Sequence, residues 1–467
     1  MEYRRHRQLF LLLPGFKEFE LENGTIYVKL TPLILDDLLS YSDAFILRFL
    51  TSLLATMTGF VLTGMPDGFG ICACHISDID ASIYTRLIQQ RKTLPLLPRL
   101  STLFLRTYGS GVLSILSPTL HSVVVSMVEF SRDDIPAVWV LMDVLSDTMA
   151  FHRLEKFSLE LGDFHLPSLV RAPSRMTNLR QLSILEGTLT DLGILADLST
   201  LPYLEDLGID FSPFAAFATL SQFPLTPFVA LKSLGIEAPA LRLGAILEVL
   251  PVGGLQSLTI SPLIEPFEPE KKCHASLARY FQIISSRFSA SMTTLVVEWW
   301  HDSAFDDGLE MPPPKNAFNV SLFEPLFETR NLQKVDLSEL HWAMETFGDE
   351  EFAKFASAWP AIQELKFPSY RMKATIRTLQ SFATERPRLR HLEIPFDGQP
   401  VEESTLPMTS SPLETLSIGY TPIIPRKDES RLVRNLDRLF PSLQAVSDPL
   451  EKVLGFPAAH VEKSAHP

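Results

Sequence analysis

LEKFSL at Leu154–Leu159, LRQLSI at Leu179–Ile184, LEDLGI at Leu204–Ile209, LKSLGI at Leu231–Ile236 and LQSLTI at Leu255–Ile260 are five copies of one phrase, L-x-x-L-x-L, spaced 25, 25, 27 and 24 residues apart. Self-similarity at such a period marks a chain that stacks one small unit on the next, because a single unit cannot bury its own apolar side. The phrase resumes as MTTLVV at Met292, LQKVDL at Leu332, IQELKF at Ile362, LRHLEI at Leu389, LETLSI at Leu413 and a worn LQAVSD at Leu443. Weaker copies precede it: FKEFEL at Phe16, MTGFVL at Met57, LSTLFL at Leu100 and LHSVVV at Leu120.

Within each phrase the apolar residues alternate, so Leu182 and Ile184 share one face of a short strand and Ser183 lies on the other. Proline stands two residues before the first apolar position at Pro14, Pro98, Pro118, Pro202, Pro360, Pro387 and Pro441, where it closes the preceding helix and favours extended chain. Between phrases the apolar spacing turns helical, as in Phe352, Phe355 and Trp359, or Leu432, Leu436, Leu439 and Phe440. Strand alternating with helix at this period predicts an α/β solenoid of about fourteen or fifteen units, with parallel strands on a concave wall and helices outside. The array is expected over 1–453, with weak repeats over 1–150 and clearer ones over 151–453, followed by a flexible tail over 454–467. Longer intervals mark insertions, the most conspicuous being WWHDSAFDDGLEMPPPKN, about 299–316.

Composition narrows the partner. The 467 residues are 46% hydrophobic and 21% charged, which is globular rather than disordered. A formal charge of −14 opposes a phosphate backbone, so nucleic acid is not an expected partner. Three cysteines, Cys72, Cys74 and Cys273, imply no disulfide framework, and a cytoplasmic or nuclear location follows. The apolar run Leu9–Leu13 is too short for an export signal and Pro14 ends it. The charge-free stretch Phe49–Pro66 carries four threonines and a serine in a periodic pattern, so buried helix and strand are expected there and no membrane partner.

The repeat resembles leucine-rich-repeat proteins of the ribonuclease-inhibitor-like type over nearly the whole chain. In texture, P-x-L-x-x-L-x-L joined by irregular helices and long loops, it is similar to fungal F-box proteins with leucine-rich-repeat tails. The resemblance implies an irregular horseshoe-shaped leucine-rich-repeat solenoid whose repeats hold a protein, and it implies a non-enzyme. In that family an F-box recruits a ubiquitin-ligase scaffold through a Skp-type adaptor. Here the first repeat starts at Phe16 with no F-box before it, so a Skp-type adaptor is expected only with an F-box upstream of Met1. A free-standing regulator of a partner protein, inhibitor-like or GTPase-activator-like, is the alternative. The asparagine that usually follows the strand is replaced by Gly162, Gly187, Ser212 and Pro239, which predicts a less regular coil.

The residues between the inward leucines should form the partner surface. That row reads Ser158, Ser183, Gly208, Gly235 and Thr259, a floor of small side chains, beside a column of Glu160, Asp210, Glu237 and Glu298 that would suit a basic protein. A merely solvated strand face would show the same polar residues. Trp299 and Trp300 follow one strand directly, where tryptophan would anchor a partner or face the core. Cys72, Cys74 and His75 with Cys273 and His274 lack the paired spacing of a zinc knuckle, so no metal or other cofactor is expected. No hydrolase elbow, phosphate loop or kinase set is present. The glycines of Gly109–Gly111 lack the strand-to-helix setting of a phosphate cradle.

Overall fold

A computed structural model describes most of residues 100–447, with breaks in the longer connections (106–115, 128–134, 163–171, 212–227 and 299–318 among them), and the backbone of 21–22, 25–26 and 73–76. Two compact units divide it, Met1–Asp210 and Phe211–Pro467. The sequence places the change in texture earlier, near residue 150.

In the first unit the parallel strands are β3 (Ala73–Ile76), β4 (Thr102–Leu105), β5 (Ser122–Ser126), β6 (Lys156–Glu160), β7 (Gln181–Leu189) and β8 (Asp206–Phe211), side by side in chain order. Two earlier strands, β1 (Leu21–Glu22) and β2 (Thr25–Ile26), pair antiparallel with each other. The FKEFEL phrase therefore runs into a local hairpin ladder. Asn23-Gly24 between the two strands is a strong two-residue hairpin signal, and it outweighs a worn repeat. MTGFVL lies outside the described residues, while β3 occupies ACHI, a strand with no L-x-x-L-x-L phrase. The second unit orders β9 (Ser233–Pro239), β10 (Ser257–Leu263), β11 (Thr294–Val297), β12 (Lys334–Asp336), β13 (Glu364–Lys366), β14 (His391–Pro395), β15 (Thr415–Gly419) and β16 (Ala445–Ser447), again parallel and in chain order.

The alternation expected from sequence holds in the described copies from Leu100 to Leu413, and only in the worn last copy is the inward residue, Val446, left half-buried. Leu154, Phe157 and Leu159 are buried while Ser158 and Glu160 stay partly open, and Leu258 and Ile260 are buried around Thr259. Each such Leu or Ile contributes roughly 1.5–3 kcal/mol. Helices cover the buried face: α1 (Ile135–Leu145) and α2 (Gly193–Leu198) in the first unit, and in the second α3 (Ala240–Val249), α4 (Glu270–Phe288), α5 (Glu324–Phe327), α6 (Asp349–Ala358), α7 (Ile376–Glu385) and α8 (Arg426–Leu439). Helix α3 packs on β9, β10 and α4, and α6 packs on α7. Both helical patterns read from sequence are realised: Phe352 and Phe355 are buried on α6 with Trp359 just past its end, and Leu432, Leu436 and Leu439 are buried on α8.

Aromatic rings wedge the helices of the second unit together. Phe323 meets Phe281 and Phe355 at 5.4 Å between ring centres, Phe352 meets Phe367 at 5.1 Å, and Trp359 donates its indole N–H to the Leu326 carbonyl at 3.0 Å. That donation satisfies the one polar atom a buried tryptophan brings into the core.

The prolines do more than end helices. The amide of the first repeat leucine donates to the carbonyl three residues back in Leu120→Ser117 (3.0 Å), Ile362→Trp359 (3.2 Å), Leu389→Arg386 (3.2 Å) and Leu443→Phe440 (3.0 Å). Pro118, Pro360, Pro387 and Pro441 thus stand second in a four-residue turn, where the fixed φ is favourable and no amide is required. The same turn closes without proline at Leu154→Phe151, Leu179→Met176 and Leu332→Thr329. At the other end of β6, Gly162 adopts φ 56°, a left-handed conformation that glycine or asparagine enters readily.

One carboxylate ties two successive helices. Asp349, at the start of α6, accepts from the Thr375 amide (3.0 Å), the Thr375 hydroxyl (2.7 Å) and the buried Thr378 hydroxyl (2.5 Å), and Thr375 itself caps α7 by accepting from the Arg377 amide (3.2 Å). Burial pushes the Asp349 carboxyl up, but the hydrogen bonds from Thr378 and Thr375 outweigh it and hold the group below its ordinary range. Replacing Asp349 by Ala removes these acceptors and strands the Thr378 hydroxyl, so stability should fall by about 2 kcal/mol in urea titration. An unchanged midpoint would refute the tie. Thr329 presents the opposite case: its hydroxyl oxygen is buried with no hydrogen-bond partner. Thr329→Val should therefore raise stability, by about 1 kcal/mol on the same measurement.

Candidate functional site

The partly open face of each strand carries the third and fifth residues of the repeat phrase, and register decides which of them meet. In the first unit Ser158 lies beside Ser183 and, on its other side, beside Val124. Gly208 follows on β8, where an added methyl would sit 3.4 Å from the Ser183 hydroxyl and 3.8 Å from Leu185, ordinary contact distances. Glycine is thus not forced there by packing, and the floor is lower than the fold demands. In the second unit Gly235 lies beside Thr259, which lies beside Val296. The expected row of small side chains is present in each unit.

The acidic residues are less continuous. Glu160 is in register with Leu185, which stands on β7 between the strands of Glu160 and Asp210. Glu237 is in register with Ser261, whose hydroxyl donates to Glu298 at 3.0 Å. An apolar or hydroxyl side chain therefore interrupts each acidic pair. Trp299 and Trp300 lie outside the described residues, as does the insertion they open, and so does Cys72. Cys74 falls on β3 with His75, and Cys273 and His274 fall on α4. Among the described residues no three His, Cys, Asp or Glu side chains gather as a metal set, and no helix is long and apolar enough to cross a membrane. The stretch Phe49–Pro66 is outside them.

A charged lattice on β12–β14 escaped the sequence reading. Lys334 pairs with Glu364 across strands at 3.1 Å, Lys366 with Asp336 across strands at 2.9 Å, and Lys366 with Glu364 along its own strand at 3.4 Å. Glu393 is the register partner of Lys366, and His391, beside Glu364, bonds Thr415 at 2.7 Å. The signal was present as K-x-D, E-x-K and H-x-E in three successive phrases, once the later copies are aligned on the same two positions as the earlier ones. Burial pushes the Asp336 carboxyl up, but hydrogen bonds from Ser338 and Lys366, with the Lys366 charge, hold it below its ordinary range. Burial likewise pulls the Lys366 ammonium down, and Asp336 and Glu364 more than restore it, leaving it above its ordinary value.

A second line runs along the residue just after the first leucine. Arg180 reaches Glu205 at 2.6 Å and Glu155 at 3.6 Å, and His121 stands 3.8 Å from Glu155. Side chains at the turn also stitch neighbouring units: Asn178 donates to the His152 carbonyl (3.1 Å), Asn331 to Ala290 (2.9 Å), Ser291 to Leu255 (2.7 Å) and Thr119 to Leu100 (2.9 Å). Hydrogen bonding missing after the strand is thus partly made before it.

These units are α/β leucine-rich-repeat coils. No protein-family profile matches the chain, and no curated protein does. Solved structures resemble it in fold. An internalin from Listeria monocytogenes is 13% identical over 76% of this chain and 75% of its own, with a TM-score of 0.35. A chain of the Rad7 and Elc1 complex in yeast is 13% identical over 91% and 100%, with a TM-score of 0.43. The TLR13–ssRNA13 complex matches at 11% over 73% and 61%, with a TM-score of 0.27.

The Asp336 carboxylate gives the lattice a pH signature. Its folded value lies below the unfolded one, so its contribution is complete above the unfolded value near 3.8 and is lost as pH falls through the lower, folded value. Asp336→Asn should cost about 1 kcal/mol at neutral pH, with the gap to wild type closing below about pH 4 in urea midpoints. A gap that persists at pH 2 would contradict the assignment.

Proposed function

We propose that this chain is a protein-binding module, not an enzyme, and that it holds its partner on the open face of the parallel strands. The observation that carries the reading is the division along each strand. Alternate residues are buried beneath helices, and the residues between them remain accessible, in register, and small where a larger side chain would fit, as at Gly208. Stacked repeats make extended surfaces of this kind, and a low floor lets another chain approach the backbone closely.

The finer reading follows the repeat texture: the module is the substrate-holding part of an F-box-type ubiquitin-ligase adaptor. Glu160 and Asp210 in the first unit, and Glu237 and Glu298 in the second, each stand beside the small residues of their own unit and favour a basic segment of that substrate. Trp299 and Trp300, which follow β11 directly in sequence, are the aromatic side chains we propose as an anchor for that substrate.

The test places bulk on the floor. Ser158→Arg in one unit and Thr259→Arg in the other should each lower capture of the protein partners recovered with wild type at least tenfold, with an unchanged circular dichroism spectrum. Lys354→Ala, on the exposed side of α6, should leave capture intact. Full capture by both arginine variants would overturn the binding face. A pull-down of the full-length gene product that brings no Skp-type adaptor would remove the ligase reading and leave the binding face standing.

A further inference from the structure

The second unit contains its own internal control. At the third and fifth positions of the phrase, β9, β10 and β11 carry Ser233 and Gly235, Ser257 and Thr259, and Thr294 and Val296. At the same positions β12, β13 and β14 carry Lys334 and Asp336, Glu364 and Lys366, and His391 and Glu393. Both sets stand on one kind of strand with one kind of pairing, so the fold does not need the charges. Nor do they add much to stability, since accessible ion pairs of this sort contribute about 0–1 kcal/mol.

The arrangement is ordered. Along the third position the sign runs plus at Lys334 and minus at Glu364; along the fifth it runs minus at Asp336, plus at Lys366 and minus at Glu393. Each charge has its opposite beside it on the next strand and, on β12 and β13, two residues along its own. Neighbours stand about 4.8 Å apart across strands and about 6.6 Å apart along them. The three ion pairs fix the side chains, with Asp336 only 13% exposed and Glu364 24%.

Two consequences follow. The four charges Lys334, Asp336, Glu364 and Lys366 cancel, so their field dies within a few ångströms and does not draw in a uniformly charged partner from a distance. At contact, however, the face offers fixed charges of both signs at strand spacing, already ordered, so a matching segment is recognised without the entropy of freezing four side chains.

We infer that the open face of β12–β14 docks an extended segment of a partner protein whose side chains alternate in sign, acidic groups meeting Lys334 and Lys366 and basic groups meeting Asp336 and Glu364. This rests on the open face being the binding face and says which part of it selects the partner.

Synthetic 12-residue peptides test it with the full chain. One repeats Lys-Thr-Glu-Thr; a second has the same composition with its lysines and glutamates in separate blocks; a third and fourth carry only lysine or only glutamate as the charged residue. The alternating peptide should bind about tenfold more tightly than the block peptide, with an association rate nearly independent of salt. Binding should vanish in the variant Lys334→Ser, Asp336→Gly, Glu364→Ser, Lys366→Thr, which copies residue types that β9 and β10 already carry and whose fold is checked by circular dichroism. Equal binding of the block or all-lysine peptide, no peptide binding at all, or retention by the quadruple variant would each overturn the inference. Retention by the quadruple variant combined with loss in Thr259→Arg would move the partner to the neutral floor and keep the open face as the binding face. Loss of neither would take down both.

Discussion

From β4 to β8 in the first unit and from β9 to β16 in the second, every seam starts at one carbonyl. The residue after the first repeat leucine presents its C=O to the next unit, and that oxygen accepts two successive amides: His121 takes those of Glu155 and Lys156, Glu155 those of Arg180 and Gln181, Gln256 those of Thr293 and Thr294, and Gln363 those of Arg390 and His391. A parallel ladder has slanted bonds and no hairpin to set its register. The shared carbonyl performs that task, because it fixes which residue of one strand stands opposite which residue of the next. Once it is made, leucine meets leucine on one side and the variable residues fall into rows on the other. A slip of one residue would put both sets on the wrong face.

At Leu120, Leu154, Leu179, Leu332, Ile362, Leu389 and Leu443 the turn just upstream holds that carbonyl in position. Its closing amide belongs to the first leucine, whose side chain is buried, so hydrophobic burial and turn geometry fix the same atom from two directions. Proline at the second turn position lowers the entropy of the open chain without removing any bond the turn needs. The hydroxyl and amide side chains of Thr119, Asn178, Ser291 and Asn331 then add a tie to the previous unit at the same height. A sparse leucine phrase can thus set a register while the intervals between phrases vary from 20 to 40 residues over Leu100–Leu443.

This ordering separates what could be read in the sequence from what could not. The strands, their parallel order and the burial of alternate residues were legible because they depend on side-chain identity at a fixed spacing: Leu182 and Ile184 had to share a face, and they do. The role of proline was only half legible, since a backbone hydrogen bond from an amide to the carbonyl three residues back leaves no signature in side-chain spacing, and the same turn closes without proline at Leu154, Leu179 and Leu332. The hairpin at Leu21–Ile26 was misread for the reverse reason, a local turn signal outranking a worn repeat. On the candidate site, the small residues were found because they lie in the five best copies. The lattice of Lys334, Asp336, Glu364 and Lys366 was missed because its members come from two copies that lie further along the chain. Each of those residues is unremarkable alone. Cross-strand pairing is a property of register, and register exists only after the phrases are laid side by side.

The same logic bears on how such a chain acquires a partner. With the buried positions and the shared carbonyl fixing the coil, the third and fifth positions carry little structural duty, and at Gly208 the ordinary contact distance around an added methyl shows that a larger side chain would fit. Neighbouring strands of one unit can therefore carry a neutral floor at Gly235, Thr259 and Val296 and a raised charged lattice that begins on the next strand, where Asp336 stands beside Val296. The step between them is chemical rather than topological. A surface built this way discriminates by what it refuses as much as by what it accepts: the floor excludes nothing by charge, whereas the lattice confronts any uniformly charged segment with like charges at strand spacing. Specificity then resides in residues on which stability depends only weakly, which allows partner choice to change while the coil does not.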